Sequence, residues 1–233
     1  MSAIVTVKGL TKQFNGKPAL NKLNFSIESG RIIGLMGPNG AGKTTLIKTI
    51  MQLYRPDEGD IRVNDIPINH QSREIIAYMP DTNPLFNWMN IRDAMLYYQD
   101  FYADFDLNYA KELCGALQLD EREKVKNLSK GTIERVLIML TFARRARLYL
   151  LDEPIGAIDP SAREKIKNII MAGINDESSV IISTHLVKDI ETVVDDVLFI
   201  DKGRLLVSES ADQIRETKGL SIEEYYLEVL KNV

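Results

Sequence analysis

The sequence has one cysteine, no long apolar run and no excess of positive charge, and each deficit excludes a class of protein. Cys114 has no second cysteine to pair with, so an internal disulfide is impossible, in agreement with a reducing compartment. No apolar stretch approaches the roughly 18 residues of a membrane span, and the first residues lack the features of a signal peptide, so we expect a cytosolic protein. A net charge of -4 argues against a nucleic-acid partner, because phosphate backbones are bound by clustered Lys and Arg.

The remaining composition is that of a globular α/β protein. With 233 residues, 45% of them hydrophobic, the chain can bury a full core as one domain. Short β-branched runs at residues 4–7 and 24–27, around an Asn15-Gly16 turn, predict an antiparallel lead-in sheet. Further apolar runs predict strands at residues 31–36, 61–63, 75–79, 148–151, 180–183, 197–200 and 205–207.

A glycine-rich loop follows the strand predicted at residues 31–36 and precedes a helix predicted to run from about Lys43 to residue 53. It fits the pattern GxxxxGK[ST], whose glycines can take positive φ so that backbone N–H groups surround a phosphate. The helix N-terminus attracts the same anion, Lys43 is expected to reach the β- and γ-phosphates, and Thr44 to ligate Mg²⁺. The predicted nucleotide-binding residues of the loop are Gly37, Pro38, Asn39, Gly40, Ala41, Gly42, Lys43, Thr44 and Thr45.

Two carboxylates, Asp152 and Glu153, follow the compact apolar strand at residues 148–151. The carboxyl ends of strands are where open α/β sheets bind ligands. Asp152 is expected to hold Mg²⁺ together with Thr44, and Glu153 to position and deprotonate a water that attacks the γ-phosphate. The alternative, a charged turn after a strand, explains less once the glycine loop is considered.

Two further residues have two interpretations each. His185 lies just past the strand at residues 180–183 and is either a structural histidine or a hydrogen-bond donor to the γ-phosphate. The second interpretation is favoured because two strand ends face the same crevice. Phe14 precedes the Asn15-Gly16 turn and is either a half-buried hydrophobic residue or a platform for a flat base, and the sequence leaves both open.

The middle of the chain has a helical pattern instead of β-branched alternation. We divide the chain into an α/β core with a β subdomain, at about residues 1–85 and 145–233, and an inserted α-helical subdomain at about residues 86–144. Aromatic residues recur there at helical spacing, which predicts a buried core stripe. They are Tyr97, Tyr98, Phe101, Tyr102 and Phe105.

Together these motifs resemble the ATP-binding subunit of an ABC transporter over nearly the whole chain. The loop at residues 37–45 is similar to the Walker A motif, residues 148–154 to Walker B with its glutamate, and residues 183–185 to the switch histidine. Residues 128–132, LSKGT, resemble the family signature LSGGQ, and Phe14 stands where the family has its adenine-stacking aromatic. Residues 221–230 resemble the C-terminal helix of exporter-type subunits. The order and separation of five motifs make the resemblance specific.

The chain departs from the family pattern at three places. The signature has Lys130 and Thr132 where glycine and glutamine are usual, while Ser129 and Gly131 remain. Asp81 replaces a glutamine and, as an acceptor only, is expected to touch Mg²⁺ through water. The turn at residues 155–159 keeps only the aspartate, Asp159, of the usual SGLD. LSKG signatures resemble those of small bacterial exporter subunits.

The resemblance implies a P-loop NTPase core, with a mostly parallel sheet and helices on both faces, plus an antiparallel β subdomain. It implies ATP and Mg²⁺ as ligands, and a head-to-tail pair of subunits in which Ser129 and Gly131 of one subunit close the phosphate loop of the other. That pair is a homodimer or a heterodimer. A separate membrane permease is the implied partner, with Phe86, Trp88 and Met89 as candidate contacts or as core residues. The protein would then lie at the cytoplasmic face of the membrane. Alternative functions are a non-transport ABC ATPase acting on ribosomes or DNA, and a regulatory ATP-binding module.

Overall fold

A computed structural model describes residues 3–156 and 158–232, and only the backbone of Ser161. Ala157, within the divergent turn at residues 155–159, lies outside the described residues. The described strands, in chain order, are β1 (Ala3–Phe14), β2 (Lys17–Glu28), β3 (Ile32–Met36), β4 (Glu58–Val63), β5 (Ile66–Pro67), β6 (Ile76–Met79), β7 (Leu148–Asp152), β8 (Ser179–Thr184), β9 (Asp196–Asp201) and β10 (Arg204–Ser210). The described helices are α1 (Lys43–Ile50), α2 (His70–Glu74), α3 (Ile91–Phe101), α4 (Leu107–Ala116), α5 (Lys130–Phe142), α6 (Pro160–Gly173), α7 (Val187–Ile190), α8 (Ala211–Lys218) and α9 (Ile222–Lys231), with a turn of 3-10 helix at Val125–Asn127.

The main sheet has the strand order β10-β9-β3-β8-β7-β6. Strands β3, β7 and β8 are buried at every position and consist largely of Ile, Leu and Val, as expected for strands covered on both faces. Neighbouring strands run parallel except for the pair β9 and β10. The carboxyl ends of β3, β6, β7 and β8 therefore lie along one edge of the sheet.

A second, antiparallel sheet has the order β2-β1-β4-β5. The predicted turn is confirmed, since Asn15 and Gly16 both have positive φ and join β1 to β2. Both strands are longer than the apolar runs that predicted them, because the ladder continues from Ala3 opposite Glu28 to Phe14 opposite Lys17. The extensions contain buried residues, Leu10, Leu20 and Leu23, among polar ones, and register shifts interrupt the alternation, so hydrophobic pattern alone underestimates them.

The core consists of two clusters, one on each face of the main sheet. Successive residues of one strand contribute to opposite clusters, as Leu35 and Met36 do in β3. One cluster contains α1 and the antiparallel sheet, and the other contains α5, α6 and α9. The predicted class, a mostly parallel sheet with helices on both faces plus an antiparallel sheet, is confirmed. No helix in the described part of the chain combines the length and hydropathy of a bilayer crossing.

Helix α1 is shorter than predicted. It begins at Lys43 as expected but ends at Ile50 instead of residue 53. The chain turns back there, because the backbone N–H groups of Leu53 and Tyr54 both donate to the carbonyl of Lys48. This compact turn brings Tyr54 next to Phe14.

The prediction of a buried aromatic stripe in and just after α3 is wrong for three of its five members. Helix α3 turns Ile91, Ala94 and Met95 to the core, which is the i, i+3, i+4 pattern of one helical face. Phe105 is buried and Tyr98 half-buried, but Tyr97, Phe101 and Tyr102 are exposed. The apolar residues that fill the core precede the aromatic residues in the helix and leave them on the surface.

Arg144 joins the end of α5 to the main sheet. Its guanidinium donates to both carboxylate oxygens of Asp104 at 2.9–3.2 Å and to the carbonyls of Ile76 and Glu74 at 2.8 and 3.0 Å. The ring of Tyr102 lies 4.1 Å from the guanidinium carbon. Because this buried arginine contacts β6, α2 and the connection between α3 and α4, it fixes the orientation of α3 and α4. The division at about residues 86 and 144 stays a prediction.

Candidate active site

The loop between β3 and α1 has the backbone conformation of a phosphate-binding turn. Gly40 and Gly42 adopt positive φ, and Gly42 caps α1 with a φ of 110°. Gly37 does not share this conformation, contrary to the expectation for all three glycines. It is needed for packing instead, because a Cβ there would lie 2.2 Å from the carbonyl oxygen of Ile200.

Lys43 is buried at the start of α1. Its ammonium donates to the carbonyls of Gly37 at 2.7 Å and Pro38 at 3.3 Å, and lies 3.6 Å from Oε1 of Glu153. Burial lowers the pKa of Lys43, and the carboxylates of Glu153 and Asp152 act in the opposite direction. The loop carbonyls and Glu153 thus hold the ammonium beside the helix N-terminus.

Asp152, at the end of β7, is fully buried and only partly satisfied. Its Oδ1 accepts from the hydroxyls of Thr44 at 3.1 Å and Ser183 at 2.5 Å. Its Oδ2 is buried and has no hydrogen-bond partner among the described residues. Burial raises the pKa of Asp152, against the effect of the two hydroxyl donors. A buried carboxylate oxygen without a donor is suited to a cation or to its water.

Glu153 contacts the two other predicted catalytic side chains. Its Oε2 accepts from Nδ1–H of His185 at 3.0 Å, and its Oε1 faces Lys43. Its backbone N–H donates to the carbonyl of Ser183 at 3.1 Å, and its φ is 52°. A non-glycine residue in the left-handed region is uncommon and occurs most often where geometry serves function.

Sequence reasoning missed Ser183 as a site residue. Its hydroxyl donates to Asp152, and both its carbonyl and its hydroxyl lie within hydrogen-bond distance of the Glu153 N–H. The signal lies in the sheet register, because Ser183 of β8 stands directly opposite Asp152 of β7. This register cannot be read from the sequence of either strand.

A cleft of about 260 Å³ lies over the loop. Asp81, which follows β6, is exposed and lines this cleft opposite the loop, and it also lines a neighbouring cleft with Lys130. The ends of β6 and β7 therefore bring Asp81 and Glu153 to the same cleft. The lining residues are Ala19, Asn39, Gly40, Ala41, Gly42, Lys43, Thr44, Thr45, Asp81 and Glu153.

Within the described part of the chain, seven predicted site residues are absent from this lining. Gly37, Pro38, Asp152 and His185 contact residues that line it, as described above, and the other three are Phe14, Ser129 and Gly131. Ser129 and Gly131 lie at the start of α5, where the Ser129 hydroxyl caps the helix by accepting from the N–H of Thr132 at 3.1 Å. Phe14 is 42% exposed and packs edge-on against Tyr54 with ring centroids 5.1 Å apart. The Lys12 ammonium lies over the Phe14 ring, 5.4 Å from its centre. The exposure of Phe14 fits a platform for a base, and its contact with Tyr54 fits a half-buried hydrophobic residue.

Comparison with known proteins identifies the family. The family model described as "ABC transporter" matches residues 20–156, which is more than half of the chain. The chain belongs to the ABC transporter family.

Relatives of this ABC protein carry the same designation. It is 30% identical to the ABC transporter ATP-binding protein YtrB of Bacillus subtilis, over 91% of this chain and 74% of that protein. It is 28% identical to the lipopolysaccharide export system ATP-binding protein LptB of Escherichia coli K12, over 91% of this chain and 92% of that protein. A solved structure of an ATP-binding subunit of an ABC transporter superimposes with a TM-score of 0.88 at 26% identity, covering 97% of this chain and 99% of that one. This ABC protein is accordingly an ATP-binding domain with the fold of its family.

Proposed function

We propose that this ATP-binding domain hydrolyses ATP to drive transport, in the export direction, through a separate membrane permease. The observation that carries the proposal is the position of the Glu153 carboxylate, which contacts both Lys43 and His185 beside the buried Asp152. Family membership supports ATP binding and a role in transport. Similarity to a subunit named for lipopolysaccharide export, together with the exporter-like C-terminal residues, supports the direction.

We assign the phosphates to the loop, and the Mg²⁺ to Thr44 and Asp152 beside it. Backbone N–H groups at Gly40 and Gly42 and the N-terminus of α1 supply positive potential, and Lys43 exchanges its carbonyl partners for the β- and γ-phosphates. The hydroxyl of Thr44 and the unpartnered Oδ2 of Asp152 fit the oxygen preference of Mg²⁺. When bound, Mg²⁺ neutralises charge that develops on the phosphates.

Glu153 is proposed as the base that orients and deprotonates the attacking water. His185 holds one carboxylate oxygen of Glu153 and is placed to donate to the γ-phosphate, while Ser183 fixes the Glu153 backbone. Such positioned proton transfer typically contributes about 10² to 10⁴ in rate. Asp81, on the opposite side of the cleft, is proposed to reach the cation through water.

A second ATP-binding subunit is proposed to complete the site. Ser129 and Gly131 lie outside the cleft of their own chain but at the exposed N-terminus of α5, where backbone N–H groups can face a γ-phosphate. Two subunits placed head to tail would close both sites. A homodimer and a heterodimer both satisfy this geometry.

The permease is proposed to bind an aromatic patch made of Phe86, Trp88, Tyr97 and Phe101, at the cytoplasmic face of the membrane. Phe86 and Trp88 are 50% and 66% exposed and stack with centroids 5.9 Å apart. Met89, for which the sequence left permease contact and core packing open, is 1% exposed and belongs to the core. Contiguous exposed aromatic residues are typical of protein interfaces.

Replacing the proposed base tests the function. Glu153→Gln keeps the size of the side chain but removes the base, so we expect ATP binding to persist while turnover falls by about 10² to 10⁴. Turnover is measured as phosphate release, and binding by titration with a fluorescent ATP analogue. Glu177→Gln is a matched control, since the Glu177 side chain is 79% exposed and does not line the cleft. Equal turnover in Glu153→Gln and the control would remove Glu153 from the mechanism.

A further inference from the structure

Arg163, in the first turn of α6, ties together the two segments that leave the active site. Its Nε donates to the carbonyl of Ile158 at 2.9 Å and its Nη1 donates to Oδ2 of Asp189 at 2.8 Å. Ile158 lies five positions after Glu153, and Asp189 lies four positions after His185. The segments that follow Glu153 and His185 are thus joined a second time, by the side chain of Arg163.

The contacts form a closed ring. Its first link is the hydrogen bond between Glu153 and His185, which is 3.0 Å long. The chain leads from Glu153 to Ile158 and from His185 to Asp189. Arg163 closes the ring, because it binds both Ile158 and Asp189. A ring closed on both sides restricts the relative motion of its members more than either contact alone. We propose that Arg163 is a positioning residue that holds Glu153 and His185 in register for ATP hydrolysis, an inference that rests on the proposed function.

Each end of the ring is anchored to the core. Ile158 is 3% exposed, and the next residue, Asp159, caps α6 by accepting from the N–H of Ala162 at 3.0 Å. Asp189 belongs to α7, whose Val187 and Ile190 are both buried. Arg163 therefore connects two fixed points, so that its loss would release the ring instead of shifting a mobile loop.

The chemistry of the two bonds favours arginine specifically. The side chains of Arg163 and Asp189 are 28% and 23% exposed, so their charge-assisted hydrogen bond is partly shielded from water. A guanidinium carries donors that point in fixed, different directions, and here one serves a carbonyl while another serves a carboxylate. A lysine ammonium is a compact group on a flexible stem and is expected to preserve only one of the two bonds.

Steady-state kinetics of the full chain test the proposal. For Arg163→Ala we expect kcat for ATP to fall about 10- to 100-fold with KM within twofold, because Lys43, Thr44 and Phe14 are untouched; this corresponds to roughly 1.4 to 2.8 kcal/mol. Arg163→Lys should recover part of the loss. Arg145→Ala is the matched control. Arg145 forms an ion pair of similar length, 2.9 Å, with Asp106, and the Arg145 side chain is 61% exposed. Its kcat should equal that of the unmodified chain.

A double-mutant cycle separates positioning from general destabilisation. Because Arg163 is proposed to act through His185, Arg163→Ala should reduce kcat much less in a His185→Ala background than in the unmodified chain. Equal losses in both backgrounds, an unchanged kcat in Arg163→Ala, or a rise in KM without a fall in kcat would overturn the proposal. If the melting temperature shows that Arg163→Ala does not fold, Arg163→Lys takes its place in the cycle with His185→Ala, and the same outcomes support or overturn the proposal. An unmodified chain that does not hydrolyse ATP would contradict the proposed function instead.

Discussion

The cleft over the phosphate loop and the aromatic patch differ in how their side chains are supported. In the cleft, Lys43 and Asp152 are buried and hydrogen bonds from neighbouring strands and loops hold them, whereas Phe86 and Trp88 are at least half exposed and contact mainly other aromatic residues. The side chains of the cleft are therefore held in place by contacts within this chain. The aromatic patch has the composition of a surface that a partner covers. The proposed chemistry and the proposed partner surface therefore occupy separate regions, and we expect them to respond separately to substitution.

Of the substitutions that compare these two regions, Lys43→Ala should give the largest effect, and it should act on the cleft alone. Removing a cation that stabilises developing phosphate charge is expected to lower kcat/KM by about 10² to 10³, by comparison with the loss of a single transition-state donor. Phosphate release at a series of ATP concentrations measures it. Lys48→Ala, in the same helix but outside the cleft lining, is the matched control. A loss of permease binding in Lys43→Ala would contradict the separation of the two regions.

The double substitution Phe86→Ser and Trp88→Ser should act on the patch alone. Loss of two aromatic contacts is expected to weaken binding to the permease by roughly 2 to 4 kcal/mol, while ATP turnover of the isolated chain stays unchanged. Binding is measured with the proposed permease partner, identified by co-purification with this chain and reconstituted in lipid nanodiscs. Leu227→Ser, at an exposed hydrophobic residue of α9, is the control. Permease affinity equal to that of the control would move the docking surface elsewhere.

Phe14→Ala decides between the two interpretations of this side chain. If adenine stacks on it, we expect ATP affinity to fall by roughly 1 to 3 kcal/mol, with a smaller loss for tripolyphosphate, which has no base. Isothermal titration calorimetry with both ligands measures the difference. Phe101→Ala, another exposed phenylalanine, should leave both affinities unchanged. Unaltered ATP affinity in Phe14→Ala would leave Phe14 as a hydrophobic partner of Tyr54.

Asp81→Gln should give the smallest effect on nucleotide binding, because Asp81 belongs to the boundary between the regions. It follows β6, lines the cleft and directly precedes the segment that leads to Phe86. Contact with Mg²⁺ through water predicts nearly unaltered affinity for Mg-ATP but altered stimulation of turnover by the permease. Titration with and without Mg²⁺ measures the first, and turnover in nanodiscs the second. A collapse of Mg-ATP affinity would instead indicate direct coordination of the metal by Asp81.

Features that depend on neighbouring residues in the sequence could be predicted. The glycine loop and the Asn15-Gly16 turn both occur where the sequence indicated. The convergence of strand ends on one edge also followed from the pattern of parallel strands. Each of these features is set by backbone preference or by hydrogen bonds over a few residues.

Features that depend on register or on competition for the core could not be predicted. Ser183 reaches Asp152 only because β7 and β8 pair with those residues opposite each other. Met89 is buried while the neighbouring Trp88 is exposed, which depends on how the segment packs and not on hydropathy. The contacts of Arg163 join residues from α6, α7 and the preceding loop, and their spacing in the sequence carries no signal.

The left-handed backbone of Glu153 has a consequence for the evolution of stability in this fold. A side chain in that conformation costs about 1 to 2 kcal/mol relative to glycine, a noticeable share of the roughly 5 to 15 kcal/mol that typically separates folded from unfolded domains. Glycine here would relieve that cost, but it would also remove the carboxylate beside the buried Lys43 ammonium. On the proposed role of Glu153, a descendant with glycine would keep the phosphate loop and lose the base, so the substitution would mark a copy that binds nucleotide without hydrolysing it.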